Sequence, residues 1–157
     1  MNSKQFNDFF TDSCDKEIGE YLETFGFKRI EKTVDEHGGQ LIYINGDREV
    51  IIYSETHPLD YPFFWNITFR LRDGEIKDSD YDKVPLWAIK IELIPGSKPN
   101  GYSLADKGTM GLINTDKLKW TISAGRIDLE KYNIGFLTGD LKEFKRIREL
   151  RIKKASH

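Results

Sequence analysis

The chain has 157 residues, a formal charge of −2, 38% hydrophobic and 13% aromatic residues, five prolines and one cysteine. That is the length of one domain with a sizeable core, and its twenty aromatic residues exclude general disorder. No apolar run approaches the ~18 residues of a membrane span, a lone cysteine forms no internal disulfide, and near-neutrality gives no global pull toward nucleic acid or anionic lipid. Met1-Asn2-Ser3-Lys4-Gln5 leads into an amphipathic pattern without a secretory leader, so a reducing cytoplasm is the expected compartment.

Phe6, Phe10, Cys14, Ile18 and Leu22 recur every four residues, with Phe9, Tyr21 and Phe25 alongside and Asp8, Asp12, Asp15, Glu20 and Glu23 on the other side. This predicts a helix over 3–25, opened by Ser3 and closed by Gly26. Gly19 inside it costs roughly 1 kcal/mol against alanine. Strands follow over 27–34, 40–44, 48–56 and 62–72. Asp35-Glu36-His37-Gly38-Gly39 forms the first turn, and Asn45-Gly46 is read as a type I′ turn. In the fourth strand Phe63, Trp65, Ile67, Phe69 and Leu71 alternate with Phe64, Asn66, Thr68, Arg70 and Arg72, so one face is strongly apolar and must be covered.

Residues 83–94 fit a helix through Val84, Trp87, Ala88 and Ile91, the preferred reading; they also fit a strand through Trp87, Ile89, Ile91 and Leu93. The glycine- and proline-bearing stretch 95–111 reads as irregular. A helix over 115–132 follows, interrupted by Gly125. A last helix is capped by Thr138-Gly139-Asp140, with Leu141, Phe144, Ile147 and Leu150 inward. The predicted class is α+β, one domain over 1–157: an N-terminal helix, a four-stranded antiparallel meander, then about three helices packed on the sheet.

Catalytic signatures are missing. There is no phosphate loop ending in Lys-Ser/Thr, no Cys-x-x-Cys and no His-Glu-x-x-His. Gly101-Tyr102-Ser103-Leu104-Ala105 is one residue off a nucleophile elbow, but Pro99 and Asn100 precede it and only His157 follows, so it reads as loop. Cys14 lies on the apolar stripe and reads as core. Asp78, Asp80 and Asp82 have the alternation that begins a calcium loop, which Lys83 and Ile89 break; a capped turn is the reading. Asn66-Ile67-Thr68 matches a glycosylation sequon that a cytoplasmic strand makes incidental.

Glu55, His57 and Asp60 fall within six residues at a strand junction, a spacing that suits a weak divalent site or an acid–base pair, although loops carry charge by default. Tyr61 and Phe64 sit beside them; Phe64 falls on the more polar face, where a core or helix-covered position is the preferred reading and an exposed anchor for a partner the alternative. Glu55, His57, Asp60, Tyr61 and Phe64 are therefore the partner-binding candidates; no catalytic residue, cofactor or metal is assigned. Residues 1–60 hold 13 acidic and 6 basic groups, a net of −7, while 142–157 hold 7 basic and 2 acidic, a net of +5. Cations at a helix C-terminus complement its dipole, and that account of Lys142, Lys145, Arg146, Arg148, Arg151, Lys153 and Lys154 is preferred to a phosphate contact. The acidic front attracts a basic protein instead.

Asp60-Tyr61-Pro62-Phe63-Phe64-Trp65-Asn66, Val84-Pro85-Leu86-Trp87 and Phe136-Leu137-Thr138-Gly139-Asp140-Leu141, with Phe144 and Arg148, resemble a group of small uncharacterised bacterial proteins. The order of elements is similar to that of immunity proteins, which neutralise polymorphic or contact-dependent toxins. Those motifs are packing and capping residues, with Trp87 and Phe144 read as core and Asp140 as a helix start, so no functional residue is carried over. The resemblance implies a non-catalytic cytoplasmic domain that binds a basic protein such as a toxin domain. The alternatives are a small enzyme or ligand-binding domain with a pocket near 55–61, and nucleic-acid binding through the last helix.

Overall fold

The computed structural model describes residues 3–55, 63–77, 80–97, 102–103 and 115–156. The first helix occupies the expected stretch in three pieces: α1 (Ser3–Cys14), a π-helical segment (Asp15–Gly19) and α2 (Glu20–Glu23). The reason lies in its apolar spacing. A repeat of four drifts by ~40° per step on an α-helix, so the four steps from Phe6 to Leu22 would wind the stripe away from the sheet. The wider π turn resets the phase, and Phe6, Phe10, Cys14, Ile18 and Leu22 are all buried.

Four antiparallel strands follow in meander order, β1 (Lys28–Val34), β2 (Gly38–Asn45), β3 (Arg48–Glu55) and β4 (Phe64–Leu71). The β2–β3 turn is displaced by one residue from the expected one. Asn45 pairs with Arg48, and the loop is Gly46-Asp47 with Gly46 at φ 63°, which is the type II′ pattern of glycine first. The Asn45 side chain instead donates to the Phe25 carbonyl at 3.0 Å and ties the helix end to the hairpin. In β1 the register slips between Arg29 and Glu31, a bulge that leaves Ile30 exposed and turns Arg29 and Lys32 to the same side. There they meet Asp15 and Asp12 of the first helix.

The expected sheet gains an edge. Residues 83–94 are neither all helix nor all strand: β5 (Lys83–Pro85) pairs with β4, and α3 (Leu86–Leu93) starts where Pro85, extended at ψ 147°, ends the strand. The two-residue β6 (Tyr102–Ser103) pairs with Trp65 and Phe64. α4 (Thr115–Tyr132) coincides with its expected span, and α5 (Lys142–Ala155) begins two residues after Asp140.

β4 organises the core. Its apolar row receives one element after another: Phe6 stands edge-on to Phe63 at 4.5 Å, Phe10 tilts on Trp65 at 5.4 Å, and Phe136 stacks on Phe69 at 4.6 Å and leads on to Phe144 of α5. The expected interruption at Gly125 does not occur, α4 being continuous through it; a Cβ there would lie 2.3 Å from the Trp65 ring, so the glycine lets α4 approach the indole. Thr121, one turn earlier, accepts the Trp65 Nε1 hydrogen at 3.2 Å. Arg48 donates from Nη1 to the carbonyls of Phe136 and Leu137, both at 2.8 Å, and fastens the α4–α5 turn to the sheet. The opposite row of β4 is less exposed than its composition predicts. Asn66 and Thr68 are buried, and Asn66 donates to the Tyr53 hydroxyl at 3.2 Å.

Candidate functional site

Of the five partner-binding candidates, Glu55 and Phe64 are cross-strand neighbours at the end of the β3–β4 ladder where the chain passes from one strand to the next. Glu55 is exposed and Phe64 half-buried. His57, Asp60 and Tyr61 lie outside the described residues. Next to Glu55 is a shallow hollow of about 300 Å³ lined by Asp35, His37, Gln40 and Tyr53 among others. Its floor is held from beneath. Ser54 Oγ accepts the Gly39 amide at 2.9 Å and donates to Asn7 Oδ1 at 3.3 Å, and Asn7 Nδ2 reaches the Asp35 carbonyl at 3.0 Å. Asp35 in turn accepts the amides of His37 and Gly38 at 2.7 and 3.0 Å, which shapes the β1–β2 turn.

A second, larger hollow of about 540 Å³ opens at the end of the first helix between Asp15, Glu23, Phe27, Lys28 and Arg29. Asp15 is fully engaged here. It accepts the Tyr43 hydroxyl at 2.5 Å on one oxygen and Arg29 at 2.7 Å on the other. Glu17 accepts Ser123 of α4 at 2.7 Å. Asp8, Glu20 and Glu23 on the helix, and Asp47 and Glu55 at strand ends, are exposed and make no ion pair among the described residues.

The basic tail is arranged in the opposite way. Arg148 is only 2% exposed and donates to Asp73 at 3.1 Å and to Glu75 at 3.2 Å, with its guanidinium 5.6 Å from the Phe144 ring centre. Lys145 also reaches Glu75 at 3.1 Å, Arg146 pairs with Glu143 at 2.9 Å, and Lys154 with Glu92 of α3 at 2.9 Å. Arg151 covers the half-buried Trp87 ring, so this expected core residue is a platform for a cation rather than a fully enclosed side chain. Partial burial opposes ionisation of Asp73, but the Arg148 hydrogen bond, the Glu75 amide and nearby Lys145 outweigh it and hold its pKa below the ordinary 3.8.

Two polar clusters escaped the sequence reading, one around buried Glu49 and Asp82 and one half-buried around Asp128. Arg70 on β4 lies between Asp82, at 2.9 Å, and its cross-strand partner Glu49, at 3.7 Å, and Arg72 reaches Glu49 at 2.9 Å. Asp82, the third aspartate of the broken calcium pattern, is therefore committed to an arginine; Asp78 lies outside the described residues. Lys90 of α3 and Tyr102 of β6 both meet Asp128 of α4, at 3.2 and 2.6 Å, while the Tyr102 ring stacks on Trp65 at 4.4 Å. Only strand alternation could have hinted at the Glu49–Arg70 pair. Nothing local links residues 90, 102 and 128.

The titration behaviour argues against using these groups as nucleophiles at neutral pH. Burial first, and then the hydrogen bonds to Asp15 and Asp128, push the Tyr43 and Tyr102 phenols well up. Burial, then the charges of Glu17 and Asp15, pushes the Cys14 thiol up, so it stays protonated inside the core. Of the near-elbow at 101–105, only Tyr102 and Ser103 are described, and they form β6. No family model, curated protein or solved structure matches the chain.

Proposed function

We propose that the chain is a cytoplasmic protein-binding domain that takes a basic partner on its acidic front, with toxin neutralisation, as in immunity proteins, its sharpest form. The observation that carries this reading is the uneven use of charge. Of the seven α5 cations, Lys145, Arg146, Arg148 and Lys154 are paired within the chain and Arg151 lies over Trp87, whereas Asp8, Glu20, Glu23, Asp47 and Glu55 face solvent without an ion pair among the described residues. Exposed charge of one sign steers a complementary surface and sets its salt dependence. The rim at Glu55 and Phe64 adds a carboxylate and a half-buried ring to that front, and His57, Asp60 and Tyr61 belong to the same proposed contact. The engagement of most α5 cations within the chain favours a protein over a nucleic acid as the partner.

The test is affinity isolation from the native host at low and high salt, with the chain and a Glu20→Lys/Glu23→Lys variant side by side. A stoichiometric basic protein that is lost both at high salt and with the variant is the expected result. Recovery of none at low salt, or of one indifferent to the charge reversal, overturns the reading. The hollow beside Glu55 supports a second reading, a small-ligand site with Asp35, His37 and Tyr53 as its polar groups. That reading predicts chemical-shift changes confined to those residues on titration with small-molecule mixtures.

A further inference from the structure

The largest exposed hydrophobic group among the described residues lies on α4. Trp120 is 71% exposed and Ile127, two turns on, is 49% exposed. The buried stripe of this helix is Leu118, Thr121, Ile122, Gly125 and Leu129. At ~100° per residue, Asp116, Trp120, Ser123, Ile127 and Lys131 fall on the opposite ridge. An indole at that exposure contributes little to the core, and paired with an aliphatic side chain on the same ridge it marks a contact surface.

The order of residues along the ridge specifies what fits it. About a midpoint between Ser123 and Ala124, Trp120 has Ile127 as its counterpart and Asp116 has Lys131. We infer that α4 pairs antiparallel with α4 of a second copy of this chain, about a two-fold axis through that midpoint. Each Trp120 then lies on Ile127 of the second copy, and each Asp116 faces Lys131 of the second copy. On the flank Lys119, which also sits over the Phe9 ring at 5.6 Å, approaches Glu130 of the second copy, the residue that already accepts from Arg126 within its own helix at 3.2 Å. The small side chains Ser123 and Ala124 occupy the crossing point, where the helices come closest, and the Ser123 hydroxyl is turned toward Glu17 at 2.7 Å rather than outward. A parallel pairing would set Asp116 on Asp116 and Lys131 on Lys131, so charge selects the antiparallel one.

A helix of 18 residues is ~27 Å long, and a contact confined to it stays under the ~1,200 Å² of a standard interface. The self-association is accordingly weak, with a dissociation constant on the order of 10–100 µM. It does not depend on the proposed function, because it uses neither the acidic front nor the Glu55 rim.

Sedimentation velocity of the full chain at low salt, from about 1 µM to about 1 mM, reads it directly. The expected result is a monomer–dimer equilibrium that Trp120→Ala weakens at least about tenfold. Asp116→Lys and Lys131→Asp should each weaken it, and the two together should restore it. Circular dichroism confirms that each variant is folded; should Trp120→Ala not fold, Ile127→Ala replaces it. A chain that is monomeric throughout, a dimer indifferent to the ridge substitution, or a double charge swap as weak as its single parents overturns the inference.

Discussion

In α5, Lys145 and Arg148 converge on Asp73 and Glu75, Arg146 pairs with Glu143, and Lys154 with Glu92. In the first helix, Asp12 and Asp15 are answered by Lys32 and Arg29, while Asp8, Glu20 and Glu23 are left exposed. The two ends carry opposite charge, yet their surroundings differ. α5 lies against the turn that ends β4, which supplies two carboxylates, and against α3, which supplies another. The first helix has the edge strand β1 beside it, and the bulge at Ile30 presents two cations there, Arg29 and Lys32. Charge counted along a chain is therefore not charge on a surface; it is what remains after the neighbours have been set in place.

Three changes break or sharpen that comparison. Arg148→Met removes the buried cation and leaves Asp73, whose side chain is 12% exposed, without its main partner. A loss of about 3 kcal/mol in urea unfolding is expected. Because Asp73 has a lowered pKa in the folded protein, its stabilisation is full above the unfolded value near 3.8 and fades as pH falls below it. Unfolding free energies between neutral and acidic pH should show that loss in the parent and a smaller one in Arg148→Met. A variant equal to the parent at all pH values would mean that α5 is not anchored by charge.

Tyr43→Phe probes the paired part of the front. It deletes the 2.5 Å hydrogen bond to Asp15 while leaving the Arg29 contact, and should cost about 1 kcal/mol by the same measurement. The smallest effect belongs to the unpaired acids. Glu20→Gln with Glu23→Gln should change stability by less than about 0.5 kcal/mol, since nothing in the described fold depends on those charges. A thermal melt clearly altered by this pair would show that the front is structural after all, and the contrast between the two ends would disappear.

Much of the fold was legible because it rests on period. The alternation from Phe63 to Leu71, the spacing of four from Phe6 to Leu22 and the helix over 115–132 are local patterns, and each element formed in its place. The π segment was implicit in the same spacing, since a strict repeat of four is incompatible with 3.6 residues per turn. The reading of Asn45-Gly46 failed by one position, because the closing Asn45–Arg48 pair is set by the register of the whole β2–β3 ladder. Residues 83–94 looked ambiguous because they contain both elements, three residues of strand and eight of helix, each too short to display its period. The candidate site was legible only as residue types: Glu55 and Phe64 meet across a ladder, and no local signal places the Asp35–His37 turn beside them.

By itself the sequence determined the α+β class, the apolar row of β4, the core role of Cys14 and the separation of acidic front from basic tail, because each depends on residues close together in the chain. Tertiary structure alone decided which charges survive at the surface, why Gly125 must lack a side chain and where Trp120 points. Those depend on groups far apart in sequence, as Arg148 and Asp73 or Gly125 and Trp65 are, and only the packed fold brings such groups within a few ångströms.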